Sequence, residues 1–321
     1  MRDCLVTGGA GFIGRPLVAS LRASGRFRSV VVLDIEAGDE TDVVADVTMP
    51  LDALAFTDYD FSHCVHLAGV AREPGFDHFT YYDVNDRGTA NVLDLCTELG
   101  VQHVVFTSTM MVFAAGEDRH GEADSVCPDT AYGGSKALAE ARVLRWGDHP
   151  GRTVRVVRPG VVFGPGDEGN FERMRRLLGR KLFFYVGRTD TVKSCIHLDD
   201  AVGLLHHLTI EAPGTEPGEP IVHCAFPDPV TLEDIVRGMF AAFGGDYRVP
   251  VVPFRLAHAG SRPFVLLARV GLDTGVHPRR IEKLYRSTNI SADAMLRSGY
   301  QLIYPTVATA LKAWAEAEPN R

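Results

Sequence analysis

The sequence predicts a doubly wound α/β fold, in which a parallel sheet is covered by helices on both faces. Short runs rich in β-branched residues alternate with helix-length segments through the first half of the chain, and a glycine-rich turn joins the first strand to the first helix. The predicted strands are Cys4–Val6, Val30–Leu33, His63–Leu67, Val104–Thr107 and Val154–Val157. The predicted helices lie near Phe12–Ser24, Tyr82–Leu99 and Tyr132–Trp146. Right-handed crossovers between such strands give the doubly wound order.

The alternating pattern loosens after residue 160, where turns rich in glycine and proline appear. Helical segments near Phe171–Leu178, Leu232–Phe243 and Arg279–Lys283 are interleaved with short strands there. We therefore predict a dinucleotide-binding domain over residues 1–162, to which residues 195–208 return. Residues 163–194 and 209–321 are predicted to form a smaller C-terminal α/β domain that faces the substrate.

Composition excludes several classes of function. The net charge of −8 over 321 residues argues against nucleic-acid binding. No apolar run approaches the roughly 20 residues of a membrane span, and the first strand begins too early for a signal peptide. The cysteines are scattered without metal-ligand spacing, so we expect reduced thiols, a cytoplasmic protein and no metal site.

The turn Thr7–Gly14 carries the spacing of a dinucleotide site of the Rossmann type. Gly8 allows a tight turn, Gly11 lets the backbone approach a pyrophosphate, and Gly14 permits close packing of helix on strand. The following helix then presents its N-terminus to the phosphates.

Asp34 stands about 20 residues on, at the end of the second strand, where a carboxylate accepts hydrogen bonds from the adenosine ribose and disfavours NADP. The alternative is a strand-end carboxylate that only caps the next turn. The pattern predicts NAD.

A second motif is Tyr132-Gly133-Gly134-Ser135-Lys136. Residues four apart share a helix face, so Lys136 is expected to lie beside the phenol of Tyr132 and depress its pKa. A tyrosinate near neutral pH is a competent general base. Alone, this spacing also arises by chance on exposed helices.

Together, these motifs resemble the extended short-chain dehydrogenase/reductases, and more narrowly their NAD-dependent nucleotide-sugar epimerases and dehydratases. The resemblance covers nearly the whole chain. It is carried by Thr7–Gly14, Ala45–Val47, His66–Gly69, Asn85 with Gly88-Thr89, Phe106–Val112, Tyr132–Lys136, Arg158–Gly166 and Ile196–Asp200.

The resemblance implies a role for each matching residue. Thr109 stands where the family has its catalytic Ser or Thr, and it would act with Tyr132 and Lys136; Ser108 and Met111 flank it. The implied cofactor-binding residues are Gly8, Gly11, Phe12, Ile13, Gly14, Asp34, Ile35, Asp46, Val47, Leu67, Ala68, Gly69, Asn85, Thr107, Tyr132 and Lys136. Among these, Asn85 would be structural, and Lys136 would also hold the nicotinamide ribose.

The same resemblance implies a UDP-sugar substrate. Its implied ligands are Arg72, Asn170, Lys193, Arg286 and Asn289. Lys193 and Arg286 would contact the diphosphate and Asn289 the uridine ribose, although a single Lys or Arg is as often a solvated surface charge. Val161 replaces an Asn that many relatives have, so contacts of that Asn do not transfer. The resemblance also implies a homodimer through the helices near Tyr82–Leu99 and Tyr132–Trp146.

The implied chemistry begins with hydride removal at sugar C4, and the residues after Thr109 bear on the fate of the resulting ketosugar. Met110 and Met111 stand where similar 4,6-dehydratases have Asp and Glu and where 4-epimerases usually have small residues. They either fill an apolar gap or shape the pocket. We expect a 5,6-elimination on UDP-GlcNAc with return of hydride to C4, which resembles dehydratases of antibiotic biosynthesis. The candidates for the base that removes the C5 proton are Glu122 and the other residues of the loop 116–127.

Three alternatives stay open at this point. The first is 4-epimerisation of a UDP-hexose in a reshaped pocket. The second is a ketoreductase or steroid-type dehydrogenase, which needs stoichiometric cofactor. The third is a dinucleotide sensor without catalysis, a class that usually lacks the Tyr or Lys that this chain retains.

Overall fold

A central sheet of seven parallel strands is found in the computed structural model, which describes residues 1–73, 75–210, 219–269 and 278–318. The strands in these ranges are β1 (Asp3–Thr7), β2 (Val30–Asp34), β3 (Val43–Val44), β4 (Phe61–His66), β5 (His103–Thr107), β6 (Arg119–His120), β7 (Thr153–Pro159), β8 (Val161–Phe163), β9 (Tyr185–Val186), β10 (Cys195–His197), β11 (Ile221–Cys224), β12 (Val251–Val252) and β13 (Asn289–Ile290). The sheet order is β11-β7-β5-β4-β1-β2-β3. The order reverses between β1 and β4, and ligands of such sheets bind outside the carboxyl ends of the strands at this point.

Helices cover both faces of the sheet, which confirms the predicted fold class. The α-helices in the described ranges are α1 (Gly14–Ala23), α2 (His78–Tyr82), α3 (Gly88–Glu98), α4 (Ala131–Gly147), α5 (Asn170–Gly179), α6 (Leu198–Ile210), α7 (Leu232–Phe243), α8 (Phe254–Arg269), α9 (Pro278–Tyr285), α10 (Asp293–Arg297) and α11 (Val307–Ala317). In β1, Cys4 and Val6 pack in the core beneath α1 and α6, whereas Leu5 packs in the core beneath α3 and α4. This alternation follows from the two-residue period of a strand.

One strand of the central sheet lies outside the predicted range of the dinucleotide-binding domain. β11 follows residue 162, yet it pairs in parallel with β7 at the edge of the sheet. Within residues 195–208, β10 pairs with β8, and α6 packs against α1. A four-residue strand after a Pro-rich segment gives too short a pattern to reveal its partner.

The predicted helix near Tyr82–Leu99 is divided into α2, a π-helical turn over Asp83–Arg87, and α3. The turn contains the fully buried Asn85, whose side chain bonds to the neighbouring loop. π-Helical turns often occur at functional sites. Among the described helices, none has the length and apolar character needed to cross a membrane.

Candidate active site

The glycine-rich turn after β1 packs closely against its neighbours at two positions. Gly8 has a φ of +72°, and a Cβ there would lie 2.5 Å from the backbone nitrogen of Ala68. A Cβ on Gly14 would lie 2.2 Å from the carbonyl oxygen of Gly8. Only glycine fits these two positions without movement of the backbone. The turn is thereby held against the loop that follows β4.

The N-terminus of α1 is open to an anion. Gly11 is exposed, and Ile13, at the N-cap, makes no side-chain capping bond. The first turn of α1 contains no acidic residue. Uncapped backbone N–H groups and the helix dipole favour a phosphate at this position. Phe12, which lies between Gly11 and Ile13, has 37% of its surface exposed.

Asp34 joins the end of β2 to the glycine turn. One carboxylate oxygen accepts a hydrogen bond from the backbone N–H of Ala10 (2.9 Å), and the other accepts one from Glu36 (3.1 Å). The carboxylate thus caps the following turn and also faces the glycine-rich turn. The backbone N–H of Ala45 donates to the Asp34 carbonyl, which brings the exposed Asp46 to the same edge. A carboxylate has lone pairs beyond these two bonds for ribose hydroxyls.

Two more residues predicted at the adenine end of the cofactor differ in exposure. Ile35 has 65% of its surface exposed directly after β2, whereas Val47 is buried. A Cβ on Gly88 would lie 2.8 Å from a methyl group of Val47. Val47 therefore packs against the first residue of α3.

The loop after β4 passes directly beside Lys136. Leu67, Ala68 and Gly69 leave the sheet there, and a Cβ on Gly69 would lie 3.1 Å from the Lys136 Nζ. Asn85 holds this loop through both backbone groups of Val70 (2.9 and 3.1 Å). The Asn85 amide also donates to the Ser135 hydroxyl on α4 (3.0 Å). Asn85 thus has the structural position that the resemblance implies.

Thr109, Tyr132 and Lys136 come together at the carboxyl end of β5. Thr109 and Tyr132 are each 6% exposed, and Thr109 is near enough to Tyr132 to lower the pKa of its phenol. The Lys136 ammonium donates to the Thr107 carbonyl (2.9 Å) and lies over the ring of Phe106. The hydroxyls of Thr107 and Ser108 are buried here without a hydrogen-bond partner among the described residues. Two buried hydroxyls and the Lys136 ammonium therefore lie around the end of β5, with Tyr132 on the neighbouring helix α4.

The predicted depression of the Tyr132 pKa by Lys136 is wrong for the protein alone. Burial raises the pKa of Tyr132 to about 12, against the hydrogen bond from Thr109, which lowers it. Burial also lowers the pKa of Lys136 to about 8, while the carboxylate of Glu140 raises it. The Lys136 ammonium bonds to the Thr107 carbonyl. The four-residue spacing on α4 therefore does not by itself bring the ammonium to the phenol or lower the pKa of Tyr132.

Met110 and Met111 pack rather than project as a pair into an open pocket. Met110 is buried with Val112, Phe113, Ala225 and Ile290, and Met111 is half-buried against this cluster. Both therefore act as apolar packing residues, one of the two roles open from the sequence.

The predicted substrate ligands fall into separate groups. The Lys193 ammonium donates to the carbonyls of Lys283 and Arg286 (both 2.5 Å), at the C-terminal end of α9. The Arg286 side chain is exposed, and Asn289 begins β13 nearby. The resemblance implies a diphosphate contact for Lys193, but its two observed bonds hold the protein backbone.

Two further predicted ligands lie elsewhere. Asn170 begins α5, and no described contact joins it to Lys193 or Asn289. Arg72 is exposed in the loop after β4, where its carbonyl accepts from the Tyr81 hydroxyl (2.5 Å).

Glu122 does not fit the role of C5 base. Its carboxylate accepts hydrogen bonds from the Ser291 hydroxyl (3.0 Å) and from the backbone N–H of Ala294 (3.1 Å). These bonds direct it to the N-terminus of α10. The carboxylate is therefore occupied in joining residues 116–127 to the C-terminal region.

Sequence reasoning missed two neighbours of the catalytic side chains. The ring of Tyr81 lies 6.0 Å from that of Tyr132. Glu140, one turn beyond Lys136, forms a buried bidentate ion pair with Arg158 (2.7 and 2.9 Å). The four-residue spacing from Lys136 was a visible signal for Glu140, whereas nothing in the sequence pairs Tyr81 with Tyr132.

Residues 5–212 match the model of the 3-beta hydroxysteroid dehydrogenase/isomerase family. The chain belongs to this family. The match begins in β1 and ends just beyond α6, so it contains the whole glycine turn and the Thr109–Tyr132–Lys136 group. It agrees with the resemblance to extended short-chain dehydrogenase/reductases.

Three known proteins are among those to which this chain is similar. N-acetyl-alpha-D-glucosaminyl-diphospho-ditrans,octacis-undecaprenol 4-epimerase of Escherichia coli O157:H7 is 24% identical over 308 residues, which cover 94% of this chain and 91% of that protein. MoeE5 in complex with UDP-glucuronic acid and NAD is 25% identical with a TM-score of 0.64, covering 78% of this chain and 89% of that chain. TunA, an NAD-dependent NDP-hexosamine 5,6-dehydratase of tunicamycin biosynthesis, has a TM-score of 0.75 at 22% identity and covers 100% and 99% of the two chains. The TunA likeness shows the fold alone.

Proposed function

We propose that this family member is an NAD-dependent enzyme that transiently oxidises the C4 hydroxyl of a UDP-hexose and returns the hydride, with 4-epimerisation as the outcome. The observation that carries the proposal is that the buried Thr109 and Tyr132 side chains lie at the carboxyl end of β5, where the Lys136 ammonium bonds to the Thr107 carbonyl. An epimerase relative that covers most of both chains supports it.

The residues present fit NAD. The open N-terminus of α1 suits a pyrophosphate, and the Asp34 carboxylate at the same edge suits the adenosine ribose. Lys136 lies beside Gly69, in the loop after β4, and would hold the nicotinamide ribose. MoeE5 holds both NAD and a UDP-sugar, and this supports the two ligands proposed here. When bound, NAD supplies a hydride acceptor that also gives the hydride back.

The chain's own residues handle the proton. The Tyr132 phenolate takes the proton of the C4 hydroxyl, and Thr109 hydrogen-bonds both Tyr132 and that hydroxyl. Because burial raises the pKa of Tyr132 to about 12, the protein alone keeps the phenol protonated near neutral pH. A cation close to the phenol is therefore required for the base form, and a positively charged ligand in the cleft favours it.

Epimerisation is favoured over the predicted 5,6-elimination by the position of Glu122. An elimination needs a base at C5, and Glu122, the one residue singled out for that role within residues 116–127, is bonded to Ser291 and Ala294. Epimerisation at C4 needs no base beyond Tyr132.

The test is incubation of the protein with UDP-glucose or UDP-GlcNAc and NAD, without added reductant, followed by mass and NMR analysis. We expect a product of equal mass with inverted C4, absent in Tyr132→Phe. Loss of water with C4 retained would identify the elimination instead. No change with either sugar would contradict a UDP-hexose substrate.

A second candidate is oxidoreduction of an apolar hydroxy compound, the chemistry in the family's name. The match of residues 5–212 to the model of that family favours this candidate. Such an enzyme would consume one equivalent of cofactor per turnover, whereas the proposed cycle consumes none.

The predicted homodimer and cytoplasmic location stay predictions.

A further inference from the structure

Two consecutive tyrosines of α2 pack against the first turn of α4. The ring of Tyr81 lies 6.0 Å from the ring of Tyr132, measured between centroids. A Cβ on Gly134 would lie 2.7 Å from the hydroxyl oxygen of Tyr82. Both tyrosines of α2 therefore contact α4, and Tyr81 is the one whose ring lies beside the proposed base.

The hydroxyl of Tyr81 is bound by the loop that follows β4. It donates to the Arg72 carbonyl (2.5 Å) and accepts a hydrogen bond from the backbone N–H of Phe76 (3.3 Å). The loop is tight here, because a Cβ on Gly75 would lie 2.5 Å from the Arg72 carbonyl oxygen. The Phe76 ring also meets the Tyr81 ring edge-on, with 5.8 Å between centroids. A phenol that donates to one group and accepts from another is fixed in orientation.

The loop itself is anchored on either side of Arg72. Asn85 bonds to both backbone groups of Val70 (2.9 and 3.1 Å). The buried carboxylate of Glu73 forms an ion pair with Lys283 on α9. The Arg72 carbonyl is therefore a fixed acceptor for the phenol of α2.

Tyr81 separates Tyr132 from an exposed part of this loop. Tyr81 and Tyr132 are 3% and 6% exposed, whereas Phe76 is 45% exposed. Burial, and to a smaller extent the neighbouring Tyr81, raise the pKa of Tyr132 to about 12. A pKa raised by burial requires a phenol that water does not reach.

We infer that Tyr81 is a positioning residue for Tyr132: its ring keeps water from the phenol, and the loop after β4 holds that ring in place. The inference rests on the proposed role of Tyr132 as the base. A phenol shielded from water meets the substrate hydroxyl in one position, whereas a hydrated phenol is free to move. Loss of the Tyr81 ring should therefore change both the pKa of Tyr132 and the rate of proton transfer.

The first measurement titrates Tyr132 by ultraviolet absorbance in the protein without substrate. Each variant is compared with the same variant carrying Tyr132→Phe, so that the difference reports Tyr132 alone. We expect Tyr81→Leu to bring the pKa of Tyr132 from about 12 to about 11 or below, toward the value near 10 of an exposed tyrosine. Tyr81→Phe, which keeps the ring, should leave it above about 11.5. The matched control is Tyr82→Leu, which removes the other ring of α2 and should leave the pKa unchanged.

The other charged and titratable groups around Tyr132 are the same in all these variants. They are Lys136 and Glu140 on α4, His66 on β4, His78 on α2, and Arg72 and Glu73 in the loop after β4. A change in the pKa of Tyr132 therefore reports water at the phenol.

The second measurement is steady-state kinetics with the UDP-hexose that the enzyme converts. Tyr81→Leu should lower kcat at least about 10-fold and change KM less than about 3-fold, because Tyr81 acts through Tyr132 and not on the substrate. Tyr81→Phe should retain kcat within about 3-fold. Melting temperatures establish that each variant is folded.

The outcomes separate this inference from the proposed function. An unchanged Tyr132 pKa in Tyr81→Leu overturns the inference, and so does an equal decrease in Tyr82→Leu, which would assign the shielding to the docking of α2 as a whole. If Tyr81→Leu does not fold, Tyr81→Phe decides, because a pKa below about 11 with the ring retained contradicts the role of the ring. If the pKa falls as expected but no UDP-hexose is converted, the proposed function fails while Tyr81 retains its role.

Discussion

A Cβ on Gly133 would lie 2.0 Å from the carbonyl oxygen of Met111. Gly133 directly follows Tyr132, and Met111 stands two residues after Thr109. The close approach therefore sets the distance between the two segments that carry the proposed catalytic hydroxyls. A side chain at residue 133 requires one of these segments to move.

Gly133→Ala should lower kcat by about 100-fold, because displacements near 1 Å from productive geometry have effects of this order. NAD affinity should change little, since the glycine turn of α1 is remote from this contact. Gly179→Ala on α5 is the matched control, as a Cβ there meets no atom within 4 Å. Equal kcat values for the two variants would contradict the spacing role of Gly133. Steady-state kinetics with the UDP-hexose that the enzyme converts provide the measurement.

Glu140→Gln should destabilise the protein by about 3–5 kcal/mol, because it leaves the buried Arg158 guanidinium without its carboxylate. It should also lower the pKa of Lys136 below about 8, since Glu140 is the group that raises this pKa. Activity that needs the charged Lys136 should then fall at lower pH than in the native enzyme. Asp86→Asn, in the more exposed pair with Arg142, should change stability by less than about 1 kcal/mol and leave the pH profile unmoved. Urea unfolding and a pH–kcat profile test both effects.

Stability should fall as the pH drops below about 6.5, and His66 is one cause. Burial lowers the pKa of His66 to about 3, and its ring bonds to the hydroxyls of Thr7 (2.7 Å) and Thr89 (2.9 Å). Between about pH 6.5 and pH 3, the unfolded chain binds a proton at this residue that the folded chain does not. The free energy of unfolding should therefore lose about 1.4 kcal/mol per pH unit from His66. Urea unfolding of native protein and His66→Gln between about pH 7 and pH 5 should show a smaller slope for the variant; identical slopes would refute the assignment.

Asp34→Arg should shift the cofactor preference toward NADP by at least about 10-fold, because it replaces a charge that repels the 2′-phosphate with one that attracts it. Asp34→Asn is the control, since it retains an acceptor for the Ala10 N–H and removes only the charge. Fluorescence titration with both reduced cofactors measures the preference. An unchanged ratio of affinities in Asp34→Arg would show that Asp34 only caps the turn.

Much of the fold was predictable because local patterns report it. The strands predicted around Leu5, Val31 and Val105 lie in the sheet, since runs of β-branched residues indicate buried parallel strands. β11 was missed as a member of the sheet, because a short edge strand is defined by its long-range partner, β7. The π-helical turn at Asn85 depends on side-chain bonds to a distant loop, and helical periodicity carries no signal for it.

The candidate site was also predictable only in part. The motif spacing predicts that Tyr132, Thr109 and Lys136 lie together, and the structure has all three at the carboxyl end of β5, where strand and helix ends of this fold meet. The direction of the Tyr132 pKa was wrong because burial, a tertiary property, outweighs the neighbouring charge. The bonds of Glu122 to Ser291 and Ala294 and the Glu73–Lys283 pair join residues about 170 to 210 positions apart. Sequence patterns carry no information on such pairings.

The most direct test of the central claim tracks deuterium placed at C4 of the UDP-hexose. Because the hydride is proposed to return to the carbon it left, the product should retain deuterium at C4 while the cofactor in solution stays unreduced. Tyr132→Phe should abolish the reaction. Deuterium transferred stoichiometrically to released NADH would contradict the account and identify a net dehydrogenase.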